Sequence, residues 1–383
     1  MKGLSVKIYL WVHGNGFIAD RLYTAAHYFR RYWLRYRNWS AARANFSVVE
    51  LRNFHKQPRR VIDLNVGITN ICNARCSFCA YPRVVDGKTL QTGVMPLATF
   101  KQAVDEFAKN GGHYLDLTPV VGDPLVDPEV FEKVRYATQE AKLGFVGFYT
   151  NGILLNHKQN FQRLVDSGLH FISISTQGTD RELYRKVYGV DKYDAVISGL
   201  QNLLEYNRSR GEPVRIVIEF RNAQKPSEII RSKDYQEKIR PYFSGKMRVN
   251  FTIDYDNWGG RIVEQDMQGA MKLRQAAPAV KLPCQRLFAY SVRHDGSVRL
   301  CACRLLTNDL DDLVVGNLHQ SSLTEVIRGD RAWNIVEGFF DGKRPEVCKG
   351  CTMYKPVTPD WLAQRKRENE VGLQGEFLPR QTT

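Results

Sequence analysis

No apolar run in this chain of 383 residues reaches the ~20 residues a helix needs to cross a bilayer. The first ten residues carry a short apolar patch but no small-residue cleavage site, so they do not read as a secretory signal. Cysteine is scarce. The eight present are too few and too clustered for a secreted disulfide scaffold, and their C-x2-C spacings favour metal in a reducing cytoplasm. The chain also has no internal repeat and no low-complexity tract. Acid is nearly missing from residues 1–60, where Asp20 and Glu50 face twelve Lys or Arg for a local net of +10, out of +15 for the whole chain.

The hydrophobic share, 43%, is enough for one large core and a smaller domain. Within the basic arm, residues 27–37 interleave aromatic and basic side chains. Such a segment can bind phosphate-rich or membrane surfaces. The simpler expectation is a helix whose aromatics pack on the main domain while its arginines face water.

From residue 61 onward, strand and helix patterns alternate. Strand-like stretches lie at 61–68, 113–118, 145–149, 170–175, 214–220 and 248–253. Helical stretches lie at 97–110, 127–143, 158–166, 193–207 and 227–239. Gly111-Gly112 stops the first helix, and Asp127-Pro128 opens the second. Six strand–helix units predict an α/β fold with a parallel sheet wrapped by helices. Some 200 residues are too few for the eight units of a full barrel. Beyond 262 a hairpin is expected around His294-Asp295-Gly296, followed by a helical stretch at 323–340. After Asp360 the tail is polar, and is expected to be disordered or to close over the barrel. The expected division is an arm (1–60), a partial barrel (61–262), a smaller domain (263–355) and a tail (356–383).

Three cysteines, Cys72, Cys76 and Cys79, form a C-x3-C-x2-C run with Phe78 before the last. Three thiolates are one ligand short of a tetrahedral zinc or a cubane iron–sulfur cluster. A zinc knuckle with a distant fourth ligand is one reading. The strand before the run and the strand–helix repeat after it argue for the other, a cubane with one open iron.

This run resembles that of the radical S-adenosylmethionine (SAM) superfamily, whose core is a partial (β/α)6 barrel. The resemblance implies that SAM takes the fourth iron. Val121-Gly122-Asp123-Pro124 stands where that family usually has Gly-Gly-Glu-Pro, so the acid is one carbon shorter and the first glycine is lost. By the same resemblance Thr150, Asn151, Ser173, Ser175 and Arg221 would stand near SAM or substrate. Cys284, Cys301, Cys348 and Cys351 follow a C-x11-G-x4-C…C-x2-C pattern. It is similar to the "twitch" domain, the short form of the SPASM domain, and implies a second, auxiliary 4Fe–4S cluster. A four-cysteine zinc ribbon is the other reading.

Cys303 is left over, two residues beyond Cys301. It reads as a hydrogen-atom donor, as a substitute cluster ligand or as a buried small residue. The implied reaction is SAM cleavage followed by hydrogen-atom abstraction from a carbohydrate-like or other small metabolite, ending in oxidation or epimerisation. Modification of a ribosomally made peptide is the alternative. A non-catalytic electron carrier or nucleic-acid-binding protein is the reading from another class. The expected partners are a small, anionic or carbohydrate-like substrate and a flavodoxin- or ferredoxin-type electron donor.

Overall fold

Alternating side chains build the central sheet. In Arg215–Arg221, Ile216, Ile218 and Phe220 are buried while the residues between them are only half covered. Ile216, Ile218 and Phe220 face the surrounding helices, while Arg215, Val217, Glu219 and Arg221 face the inside of the sheet. A computed structural model describes residues 16–44, 46–57, 63–87, 91–221, 223–252, 254–269, 271–276, 280–302 and 312–371.

Six strands, β1 (Asp63–Val66), β2 (Tyr114–Asp116), β3 (Phe145–Thr150), β4 (Phe171–Thr176), β5 (Arg215–Arg221) and β6 (Met247–Thr252), pair in parallel in chain order. Helices connect them, as in a partial (β/α)6 barrel. A short pair, β7 (Asp254–Tyr255) and β8 (Lys272–Leu273), stands apart. β9 (Tyr290–Val292) joins the other side of β1 in parallel, and β10 (Ser297–Leu300) and β11 (Val314–Asn317) extend that edge antiparallel. One nine-stranded sheet therefore crosses the expected boundary near 262.

Several helices differ from the sequence expectation for identifiable reasons. The helix at 97–110 forms as Leu97–Lys109, burying Phe100, Ala103, Val104 and Phe107 at helical spacing. The next one runs from Val130 to Arg135 and passes into a π-helical turn ending at Glu140, short of 143. The stretch 227–239 splits in two because the Ser232 hydroxyl accepts from the Tyr235 N–H and caps a new start. Gly329 likewise divides 323–340 into Leu323–Arg328 and Asp330–Gly338. Over its described part the tail forms a helix, Pro359–Val371, at the start of β1 rather than over the barrel mouth, and residues 372–383 lie outside the described residues. Its Trp361 packs on Phe288, and Arg365 lies 3.7 Å from Asp63, the first residue of β1.

The basic arm is helical over Gly16–Arg43, but the described aromatics of that helix do not pack inward. Phe29, Tyr32, Trp33, Tyr36 and Trp39 are exposed, and the covered face carries Asn38 and Ala41 instead. Among the described residues, no helix is long and apolar enough to cross a membrane.

Candidate functional site

The loop carrying Cys72, Cys76 and Cys79 leaves the C-terminal end of β1, where chemistry sits in parallel barrels. A helix absent from the sequence reading, Arg181–Tyr188, holds it there. The Arg75 N–H donates to the Tyr188 carbonyl at 2.9 Å, and the Ser77 N–H to the Val187 carbonyl at 2.8 Å. Asp180 caps that helix, and Gly189 ends it with φ 67°. A Cβ on Gly189 would lie 2.8 Å from the Arg75 oxygen, so only glycine allows this approach. The signals for this helix were the Asp180 cap and the Gly189 stop. Phe78 anchors the loop from below, edge-on to Tyr188 and Tyr255 with centroids 5.8 and 5.1 Å apart.

The three thiols share one apolar surround with Ala74, Val121, Ile153, Tyr184 and Tyr188. Burial, then the Asp123 charge, pushes the Cys72 thiol up to about 12. Burial also lifts Cys79 to about 11 and Cys76 well above its ordinary value. The charges of Cys79 and Cys72 add to the rise at Cys76, and the Arg221 guanidinium opposes it. Without metal the three are thiols; iron would displace their protons.

Asp123 ties the loop to its neighbours. Its carboxylate accepts from the Thr150 hydroxyl (2.9 Å), the Asn151 N–H (2.7 Å) and the Leu125 N–H (3.0 Å). Removing it would leave three buried donors unpaired, at about 1–3 kcal/mol each. The Asn151 amide in turn donates to Asn73 Oδ1 at 2.7 Å and reaches Cys72 Sγ at 3.7 Å. Gly122 has φ 125°, and a Cβ there would stand 3.0 Å from the Asn70 backbone. Val121, Gly122, Asp123, Thr150 and Asn151 thus gather at the loop.

Polar atoms without partners collect at the same end. They are Asn73 Nδ2, Ser175 Oγ, Gln177 Nε2 and Thr179 Oγ1, all buried. Such atoms need a partner, which a ligand rich in amino, carboxylate and hydroxyl groups supplies. Three thiols, no fourth cysteine beside them among the described residues, and this set of orphaned atoms fit a cubane carrying SAM. Gln177 and Thr179 were not foreseen, and only their position after β4 could have signalled them.

The inner face continues from there in polar rows. Asn65 stands between Asp116 on β2 and Ser291 on β9, and the Ser291 hydroxyl donates to Asn65 Oδ1 at 2.8 Å. Tyr149 pairs with Ser173, and Ser175 with Glu219. Arg221, at the top of β5, donates to Glu219 at 3.1 Å and to the Tyr255 hydroxyl at 2.8 Å. Burial, then Asp116 and Glu219, pushes the Tyr149 hydroxyl up, while Arg221 and Arg286 pull it down. Four charges therefore converge on one phenol. Asp116, Tyr149, Glu219 and Arg286 went unnoticed in the sequence because no local motif marks them.

The second cysteine set lies off the other end of the β1–β9 pair. Cys284 precedes β9, which runs parallel to β1, and Cys301 follows the antiparallel β10. Cys284, Cys301, Cys348 and Cys351 line one small pocket with Arg286, Leu287 and Tyr354. Burial lifts Cys284 to about 11 and Cys348 higher still. The charges of Arg299 and Arg344 oppose the rise at Cys348, and that of Arg286 at Cys284. Arg37 from the N-terminal helix reaches the same corner, donating to the Tyr354 carbonyl at 2.8 Å. Burial, then the charges of Arg286, Arg37 and Arg274, lowers Lys355 to about 8. Four thiols facing one void fit a fully ligated auxiliary cluster, and the surrounding cations suit its negative charge. Cys303 lies outside the described residues.

Residues 66–229 match the family model of the radical SAM superfamily, and residues 284–352 match SPASM, an iron–sulfur cluster-binding domain. The GTP 3',8-cyclase of Staphylococcus haemolyticus is 25% identical over 183 residues, 47% of this chain and 52% of its own. That of Chlorobaculum tepidum is 27% identical over 146 residues, 38% and 42% of the two chains. The chain thus spans about half the length of these curated relatives. A probable GTP 3',8-cyclase of Metallosphaera sedula is 28% identical over 308 residues, 73% of this chain and 91% of its own. Among solved structures, BtrN in complex with AdoMet and 2-DOIA overlays with a TM-score of 0.47 at 18% identity, covering 76% of this chain and 92% of that one.

Proposed function

Because the chain belongs to the radical SAM superfamily and carries a SPASM-type iron–sulfur domain, we propose that it is an enzyme acting on a small, hydroxyl-rich metabolite that bears an anionic group. A nucleotide or a sugar phosphate has both features. The observation that carries this reading is the polar inner face between the two thiol sets. Asp116, Tyr149, Ser173 and Glu219 suit hydroxyls, and Arg286 with Lys355 suits an anion beside the auxiliary site. The names of the curated relatives agree with a nucleotide.

Cys72, Cys76 and Cys79 would hold the 4Fe–4S cluster that binds SAM, and Cys284, Cys301, Cys348 and Cys351 the auxiliary one. With SAM bound, such a cluster would supply 5′-deoxyadenosyl radical chemistry for hydrogen-atom abstraction from a substrate C–H bond. The residues of this chain orient that bond and keep water away. Asn151 and Asp123 fix the loop, the row from Asn65 to Glu219 holds the substrate hydroxyls, and Arg286 holds the anion. The electron would come from a flavodoxin- or ferredoxin-type donor.

Anaerobic incubation with SAM, dithionite and a panel of nucleotides and sugar phosphates tests the substrate class. One of these should raise 5′-deoxyadenosine above the level seen without substrate; stimulation by peptides alone would overturn it. Arg286→Met should raise KM for that substrate by roughly 10- to 100-fold, the worth of a charged hydrogen bond. Iron content and substrate-free SAM cleavage should stay as they were, and an unchanged KM would remove Arg286 from the anion site.

The outcome of the reaction, oxidation or epimerisation, turns on Cys303. If it returns a hydrogen atom to the substrate, Cys303→Ala should still form 5′-deoxyadenosine but lose the inverted product. Deuterium from solvent should enter the native product at the same carbon. Undiminished epimerisation by the variant would end the donor role.

A further inference from the structure

The helix Gly16–Arg43 leaves one face uncovered. Seven of the nine exposed large hydrophobic side chains among the described residues belong to it. Six of them, Leu22, Phe29, Tyr32, Trp33, Tyr36 and Trp39, fall within an arc of about 120° at the ~100° per residue of a helix. The stripe they form is about 25 Å long. Phe29 is 68% exposed and Tyr32 71%. Trp33, Tyr36 and Trp39 make a ladder of rings with centroids 5.8 and 5.9 Å apart. The Arg43 guanidinium lies 3.6 Å from the centre of the Trp39 ring.

The opposite face is fixed to the protein, so the stripe is held outward. Asp20 Oδ1 accepts from the Ser227 N–H at 2.9 Å, Arg37 is bonded to the Tyr354 carbonyl, and Asn38 and Ala41 are buried. Charge then selects what the stripe meets. Between Asp20 and Glu50 the sequence has six arginines and no acid. A second copy of this helix docked through the stripe would bring Arg35 and Arg43 against the same two arginines, whereas an anionic surface would neutralise them. Tryptophan, tyrosine and arginine together are the side chains that settle in the head-group layer, with an amphipathic ring or a long apolar stem below and a polar tip above.

We propose that this helix docks the protein on an anionic lipid bilayer, lying in the plane of the head groups with the aromatic stripe turned inward. Arg43 within the stripe and Arg35 beside it meet lipid phosphate.

The test uses the full chain with its clusters in place, under anaerobic conditions. At low salt it should sediment with vesicles of phosphatidylglycerol and phosphatidylcholine in equal parts, and roughly tenfold less with phosphatidylcholine alone. Brominated acyl chains in the anionic vesicles should quench its tryptophan fluorescence. The triple substitution Phe29→Ser, Trp33→Ser, Trp39→Ser should weaken sedimentation by roughly tenfold or more. Arg35→Glu with Arg43→Glu should weaken it and flatten its salt dependence. Both variants should form 5′-deoxyadenosine at the native rate without vesicles, which shows that they fold. No sedimentation with anionic vesicles, or equal sedimentation of the native and triply substituted chains, would overturn the proposal. So would a dimer in analytical ultracentrifugation that the triple substitution splits.

Discussion

Replacing any one of Cys72, Cys76 and Cys79 by alanine is expected to abolish SAM cleavage and to halve the iron of the reconstituted protein from about eight to about four atoms per chain. The loss should exceed the roughly 10- to 100-fold that removing an outer-shell partner of a metal site costs, since a ligand itself is gone. The loop offers no substitute. Asn73 is engaged by Asn151, Ser77 donates to the Asp266 carbonyl, the apolar Phe78 is anchored between Tyr188 and Tyr255, and Asp256, whose charge reaches Cys79, accepts from the Trp258 N–H. Asp123 already accepts three hydrogen bonds and cannot turn to iron without releasing Thr150, Asn151 and Leu125. Anaerobic reconstitution, iron and sulfide assays and chromatography of 5′-deoxyadenosine read the result. A variant with full iron that still cleaves SAM would contradict the assignment.

The opposite split is expected at the second set. Cys348→Ala or Cys351→Ala should also halve the iron, yet leave SAM cleavage in place while product formation falls by on the order of a hundredfold or more. The reason is position. The four thiols line a pocket off the end of the sheet where β1 begins, and the loop of Cys72, Cys76 and Cys79 leaves the end where β1 finishes. Damage at one should therefore leave the other assembled. Iron near four with about one zinc in the native protein would assign the pocket to a zinc ribbon instead. Mössbauer spectra of the native protein and the two variants separate these outcomes.

The regular parts of this architecture were legible in the sequence because they obey short-range rules. β5 buries every second side chain, Ile216, Ile218 and Phe220, and Leu97–Lys109 repeats its apolar residues at three and four. Both cysteine patterns stand in the chain as local spacings. What escaped depends on neighbours far away in sequence. Tyr149 matters because Asp116, Glu219, Arg221 and Arg286 approach it from three segments. The grip of Arg181–Tyr188 on the cysteine loop spans more than a hundred residues. The arm misled for a different reason. Its apolar arc was visible, but an arc does not say whether protein or solvent faces it. The covered side of that helix turned out to be built from Asn38, Ala41 and a bonded Arg37.

The pairing of β1 with β9 also fixes the order in which this molecule can be completed. Asn65 and Ser291 meet across 226 residues of chain. While the protein is being made, β1, β2 and their helices leave the ribosome long before the strand that covers the outer edge of β1. Through that interval Leu64 and Val66 sit on an open edge able to pair with another chain. The sheet closes only when β9 arrives, by a contact of long sequence separation and hence of slow formation. The strand next to the second cysteine set is therefore also the last protection that the half carrying Cys72, Cys76 and Cys79 receives.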